Sequence, residues 1–181
     1  SIDTRSPTTA SRAIEAGASI VNDVSGLADP AMIEVLAGSR CDIVLMHSLS
    51  VPADPRNVLP LECDPLAALS SWFAEHLETL GRAGIALERV IIDPGIGFGK
   101  TATQSLEIIR RARELMELDC RVMFGHSRKS FLEPMTRVPP NERDPETLAV
   151  SARLASRGVD ILRVHTLDLH RRFWRVYQRT V

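Results

Sequence analysis

Six short apolar runs each close on side chains that can bind or react. They are Asp3 in "SID", Asn22 and Asp23 in "SIVND", His47 in "CDIVLMH", Asp93 in "RVIID", Ser127 in "RVMFGHS", and Arg163 with His165 in "DILRVH". A carboxylate accepts two parallel N–H bonds, so Asp93 with the Asn22 amide could read the guanidine-like edge of a flat heteroaromatic. "GHSRKSF" sets Ser127, Arg128 and Lys129 at a strand-to-helix junction, where cations and a helix N-terminus suit an anion or a carbonyl. Arg163 and His165 are two apart on one strand and face the same side. Side by side they could grip a phosphate. Each feature also has a plainer reading. Asp93 could cap the next helix, Ser-Arg-Lys could be a solvated cap, and Arg-x-His could be ordinary surface.

"IIDPGIGFGKT", residues 91–101, ends like a phosphate-binding loop. That loop needs Gly, four residues, then Gly-Lys-Ser/Thr. Counting back from Gly99-Lys100-Thr101 puts Pro94 at the first glycine, and proline offers no N–H and no positive φ. The dinucleotide pattern fails as well, because Lys100 stands where its third glycine belongs. Gly95, Gly97 and Gly99 instead let the backbone fold close over a flat ligand, with Asp93 projecting beside it.

The elements that must carry these residues alternate. The apolar runs are rich in Val and Ile and almost uninterrupted, as in parallel strands buried on both faces. Helical patterns separate them. Pro7 lies near the start of a helix over 10–16, and Asp29-Pro30 caps one over 31–37. Asp64-Pro65 opens a long helix with Leu66, Leu69, Trp72, Phe73, Leu77 and Leu80 on one face. Leu106, Ile109, Ala112, Leu115 and Met116 make the next stripe. Asp144-Pro145 caps a helix through Ala155 that Gly158 ends, and Leu169, Phe173, Trp174 and Tyr177 mark the last. This is an α/β chain. A doubly wound sheet would focus only the strands at its switch point. A (β/α)8 TIM barrel converges every strand end on one mouth, and the six polar strand ends favour it. Pro52 to Leu61 is the one long irregular connection and is expected at that mouth. A barrel takes about 250 residues, so six units imply that two more, about 70 to 90 residues, precede Ser1. The expectation is a single domain over 1–181, a partial barrel holding strands three to eight.

Bulk properties exclude several classes. The chain has 181 residues, a net charge of −1, 44% apolar and 25% charged residues. That balance suits a globular domain and gives no broad nucleic-acid or membrane surface. Cys41, Cys63 and Cys120 are far apart and form no CxxC pair, so neither a disulfide framework nor a zinc knuckle is expected. No apolar run reaches the roughly 20 residues of a membrane span. The cytoplasm is the expected location.

Taken in order, "SIDT", "IVNDVSG", "LMH", "IIDPGIGFGKT", "GHSRKSF" and "RVH" resemble the successive strand motifs of the dihydropteroate synthase family. The resemblance runs over the whole chain and implies a folate-pathway transferase. Such an enzyme joins 4-aminobenzoate to dihydropterin-CH2-diphosphate, giving dihydropteroate and pyrophosphate. Carried over by position, Asp3, Asn22 and Asp93 would bind the pterin edge and Met46 would pack on the ring. Lys129, beside Gly125, would contact the pterin carbonyl and ring nitrogen. Arg163 and His165 would hold the diphosphate, Arg163 also lying against the pterin face. Phe98 and Ser130 would border the aminobenzoate pocket. Lys129, Arg163 and His165 would carry catalysis. The resemblance further implies Mg2+, with its protein ligand outside this chain, and a homodimer when full length. Its first two barrel strands have no counterpart here, so the 181 residues alone are expected to be inactive, with open sheet edges.

The sequence departs from the family at Glu133, where a Gly is expected nearby, at "RDPETLAV", and at Thr166, where Asp is usual. None of these is a residue assigned a role above. The remaining polar residues read blandly: His126 pointing outward, His76 and Lys100 at the surface, and His170 with Arg171 and Arg172 on a solvated helix face. A pterin-binding methyltransferase acting on a corrinoid protein shares the barrel but needs neither Ser-Arg-Lys nor an Arg-His grip. A catalytically dead pterin-binding barrel is the remaining alternative.

Overall fold

Side-chain caps and prolines start the helices as their sequences dictate. In the computed structural model, which describes residues 1–180, α1 (Pro7–Glu15), α2 (Pro30–Ala37) and α3 (Pro65–Arg82) each begin on a proline. The residues just before them, Ser6, Asp29 and Asp64, accept an N–H of the first turn with their side chains. Proline at the first position forfeits an N–H that has no intrahelical partner anyway. α4 (Ala102–Arg110) starts with a full capping box between Thr101 and Gln104.

The strands are β1 (Ile2–Asp3), β2 (Ile20–Asp23), β3 (Asp42–Met46), β4 (Val90–Asp93), β5 (Arg121–Phe124) and β6 (Ile161–Leu162). They pair in parallel in the order of the sequence, β1 to β6. Sequential parallel order with an intervening crossover is barrel topology, not the reversed order of a doubly wound sheet. The sheet curls far enough that Arg163, just past β6, pairs with Asp3 at the end of β1 across 160 residues of sequence. One side of each strand packs against the helices through Val21, Ile43, Leu45, Val90, Ile92, Val122 and Phe124. The other side, with Val44, Ile91 and Met123 at its centre, lines the inside of the curl. Burial on both faces explains the nearly continuous apolar runs.

Three differences from the sequence reading have physical causes. The edge strands are two residues each rather than the longer runs expected, so Arg163 and His165 lie beyond β6 and not on it. The single stripe from Leu106 to Met116 divides into α4 and a 3-10 segment over Ala112–Leu118. Its apolar residues Ala112, Leu115 and Leu118 recur every three positions, the period of a 3-10 helix. Asp144 does not cap α6 (Asp144–Ser156) with its side chain. Its carboxylate is engaged by the Arg128 guanidinium at 2.7 and 2.8 Å and by the Thr166 hydroxyl. Two further helices complete the chain, α5 (Glu133–Thr136) and α7 (Leu167–Tyr177).

Candidate active site

At the C-terminal ends of the strands, β3, β4, β5 and the segment after β6 surround a cleft of about 350 Å³. Met46, Asp93, Phe98, Gly125, Lys129, Arg163 and His165 line it, joined by Ser127, Val24 and Val164. Val24 and Val164 carry no chemistry and escape a search for polar residues. Both stand next to residues that do, after Asp23 and between Arg163 and His165.

Asp93 forms the buried wall. One carboxylate oxygen accepts the Gly95 N–H at 2.8 Å. The other faces Gly125, where an added Cβ would lie 3.6 Å from it and 4.0 Å from the Lys129 Nζ. A bare backbone at 125 thus lets a carboxylate and an ammonium converge on one stretch of the cleft, within contact distance of where a side chain would start. Burial pushes the Asp93 carboxyl above the usual carboxylate range, and the Lys129 charge and the Gly95 N–H oppose that rise. Burial lowers the Lys129 pKa, and Asp93 opposes that in turn. A ligand offering N–H groups to Asp93 and a carbonyl to Lys129 would favour the charged form of both.

Asn22 lies outside the cleft, on the inside of the curl. Its amide nitrogen donates to Asp3 at 2.7 Å, while its carbonyl oxygen is buried without a partner. Such an oxygen costs on the order of 1–3 kcal/mol unless something donates to it. Asn22 and Arg163 line an adjoining groove on the inner face of the sheet. Asp3 reaches the site through its bonds to both of them. Ser130 is exposed and does not line the cleft.

"SRK" divides its labour rather than forming one anion site. Lys129 is the one cation of the three that lines the cleft, its ammonium bonded to the Ile96 carbonyl and 4.8 Å from the centre of the Phe98 ring. Arg128 takes a left-handed φ of 57° and turns away to Asp144 and Thr166, tying the end of β5 to α6. Ser127 is buried, and its hydroxyl meets His165 at the backbone N–H, 3.3 Å, and at Nδ1, 2.9 Å. A three-residue 3-10 turn, Ser130–Leu132, and the four-residue α5 follow, so no long helix points its N-terminus at the cleft.

Several residues read as surface lie inside. Lys100 is 7% exposed, with Nζ 2.8 Å from His47 Nδ1 and 2.9 Å from the Phe98 carbonyl. The "GKT" lysine looks like a surface residue because nothing near it in sequence announces a partner; His47 is 53 residues away. His126 does not point outward. It is fully buried, with Nε2 2.9 Å from the Ser151 hydroxyl. His170 is also buried rather than solvated, 3.0 Å from that same hydroxyl and 3.0 Å from the Thr166 carbonyl. His76 is half-buried and stacks on Trp72 at 3.7 Å. Arg143, unremarked in the sequence, is buried and donates to the carbonyls of Val138 and Lys129.

The sequence profile described as "Pterin binding enzyme" matches residues 1–165. A probable bifunctional folylpolyglutamate synthase/dihydropteroate synthase of Halobacterium salinarum is 42% identical over 91% of the chain, which spans 20% of that protein. A dihydropteroate synthase of Synechocystis is 36% identical over 93% of the chain, which spans 58% of it. Among solved structures, a dihydropteroate synthase from Anaplasma phagocytophilum with bound 6-hydroxymethylpterin-monophosphate superposes with a TM-score of 0.93 at 35% identity. That match covers 99% of this chain and 71% of the other.

Proposed function

The chain belongs to the family of pterin binding enzymes, and from that premise we propose that its reaction is the dihydropteroate synthase condensation. A (7,8-dihydropterin-6-yl)methyl diphosphate and 4-aminobenzoate would give 7,8-dihydropteroate and pyrophosphate, a transfer of an alkyl group other than methyl. The observation that carries this reading is the cleft in which the Asp93 carboxylate and the Lys129 ammonium converge over the bare backbone of Gly125.

The residues suit each stage. Asp93 accepts from the amino and ring N–H groups of the pterin edge, and the orphan oxygen of Asn22 takes a further donor, with Asp3 holding the Asn22 amide. Lys129 donates to the pterin carbonyl or ring nitrogen. Met46 packs on the ring face. Arg163 and His165 hold the diphosphate, and the Ser127 hydroxyl orients the His165 ring. As the C–O bond at the methylene breaks, its electron pair leaves with pyrophosphate, and negative charge grows beside Arg163 and His165. Stabilising charge where it develops is electrostatic catalysis. The electron-rich pterin bears the methylene cation, the aromatic amine attacks that carbon, and the amine then loses a proton. No enzyme nucleophile takes part. Phe98 borders the aminobenzoate side.

Mg2+ is part of this reading as a counter-ion of the diphosphate. Among the described residues no three His, Cys, Asp or Glu side chains converge as a metal site, so these residues do not themselves supply a ligand set and no step above depends on one. Among the described residues no helix is long and apolar enough to cross a membrane. Residues 1–181 act as one pterin-binding domain in this reading, in a cytoplasmic homodimer.

The test is pyrophosphate release by the full gene product given Mg2+ and the pterin diphosphate, with and without 4-aminobenzoate. Release that depends on the amine and yields dihydropteroate is expected, and Lys129→Ala and Arg163→Ala abolish it. Tight pterin binding without release would move the assignment to a corrinoid-dependent methyltransferase or a non-catalytic barrel.

A further inference from the structure

Lys100 has no part in the chemistry above, yet it is buried beside the cleft and bonded at both hydrogen-bonding contacts it makes. The turn it closes has left-handed glycines at 95, 97 and 99, with φ of 63°, 81° and 73°. Three such glycines give the turn more backbone freedom than any other composition would, so contacts from outside must add to its one internal bond, from the Phe98 N–H to the Gly95 carbonyl at 2.9 Å. The two carbonyls between them are held by different lysines. Ile96 is taken by Lys129 on the cleft side and Phe98 by Lys100 on the interior side. Lys100 is anchored in turn on His47 Nδ1, at the end of β3. The far end of the turn is tied down as well, with the Gly99 carbonyl accepting from Leu59 at 3.0 Å.

We propose that Lys100 is a positioning residue that, braced on His47, pins the Phe98 carbonyl and so sets the Phe98 ring on the side of the cleft that receives the aromatic amine. The inference rests on the synthase reading for the identity of that amine. Asp93, Asn22 and Lys129, the pterin contacts, share no hydrogen bond with Lys100 and feel it only through its charge, so the larger effect falls on the amine. Both bonds need only two N–H groups, which a neutral amine also has. Burial lowers the Lys100 pKa to about 7 and that of His47 to about 3, so His47 stays a neutral acceptor. The pin therefore holds on both sides of neutrality. A lysine binding the aminobenzoate carboxylate by its charge would instead lose affinity as pH rises through 7.

Steady-state kinetics of the full gene product decide it. In Lys100→Met the KM for 4-aminobenzoate rises about tenfold, the effect of losing one buried hydrogen-bonded anchor. The KM for the pterin diphosphate stays within about twofold, and the wild-type KM for the amine is flat from about pH 6 to 8. If Lys100→Met does not fold, His47→Phe, which removes the brace and leaves the Phe98 bond, should raise the same KM about threefold. An unchanged KM for the amine, an equal rise in both KM values, or a KM that climbs through neutral pH would overturn the proposal. If the wild type makes no dihydropteroate, the synthase reading fails by itself. Amide hydrogen exchange then still judges the pin: faster exchange confined to residues 95–99 in the variant supports it, and unchanged exchange overturns it.

Discussion

The cleft has two unlike ends. At β4 and β5, Asp93 is 4% exposed, the glycine turn is held by two lysines, and buried His47 and His126 follow β3 and β5. Past β6, the Arg163 side chain is 54% exposed, pairs with an equally open Asp3, and shares its segment with an exposed His165. Polar groups in the first region have lost water and found fixed partners, so they cost reorganisation energy before a ligand arrives and little afterwards. Groups in the second keep their water and their freedom. The difference suits a ligand with a flat ring at one end and a charged group at the other. Ring recognition needs shape and direction, whereas a diphosphate can be met by mobile charges.

The largest test of this contrast is Gly95→Ala. A Cβ there would lie 1.9 Å from the His47 carbonyl oxygen, and the residue has a φ of +63°. Neither neighbour is a flexible side-chain tip, so strain and overpacking add to about 4 kcal/mol of lost stability. Urea unfolding would measure it. A loss below about 1 kcal/mol would mean that the turn gives way and that the buried end is not preorganised.

Acid should attack the same end next. The His126 pKa is lowered to about 4 by burial and that of His47 to about 3, from an ordinary 6.5. Below pH 6.5 the unfolded chain takes up these protons and the folded chain does not, so stability is full above 6.5 and falls as pH drops toward 4. Each such pH unit costs up to about 1.4 kcal/mol per histidine. A loss of about 2–3 kcal/mol between pH 6.5 and 4.5 is expected after relaxation around the rings. Asp64, Glu114 and Asp144, whose pKa values are held low by arginines, lose their contributions only at lower pH, below their ordinary carboxylate range. Denaturant midpoints at pH 7, 5.5 and 4.5 check this, and a flat profile would place water around the two rings.

How far the sequence foretells the two ends follows from the range of the interactions. The six strands, the Asp-Pro and Ser-Pro helix starts and the polar cleft residues Asp93, Lys129, Arg163 and His165 are legible because each depends on neighbours a few positions away. Asp93, Gly125 and Lys129 stand in motifs whose spacing survives folding. What stays hidden is pairing over distance. Lys100 meets His47, and His126 and His170 meet through Ser151, only because β3 comes beside β4, and β5 beside helices α6 and α7. A histidine in "DLHRRF" has the periodicity of a surface residue, and only tertiary packing makes it a core one. Likewise Arg128 and Lys129 are equivalent cations in sequence, until a left-handed φ at Arg128 sends one outward to Asp144.

The smallest effect separates the ends most cleanly. Arg163 is half exposed, and its existing partner Asp3 is exposed too, so replacing it with Gln removes a screened interaction. Arg163→Gln should weaken binding of a pterin lacking phosphate by less than about threefold. Binding of the pterin diphosphate should fall about thirtyfold at low salt, through lost charge-assisted bonds, and by less as ionic strength rises. Lys129→Met should behave in the opposite way, weakening both ligands by the same factor with little salt dependence, because its charge acts inside the protein against Asp93. Isothermal titration of both ligands at two salt concentrations measures all of this. Should Arg163→Gln weaken the two ligands equally, the guanidinium lies against the ring rather than the diphosphate, as the family resemblance also allows. The open end of the cleft would then belong to ring recognition, and the division drawn here between a fixed ring site and a mobile charge site would fail.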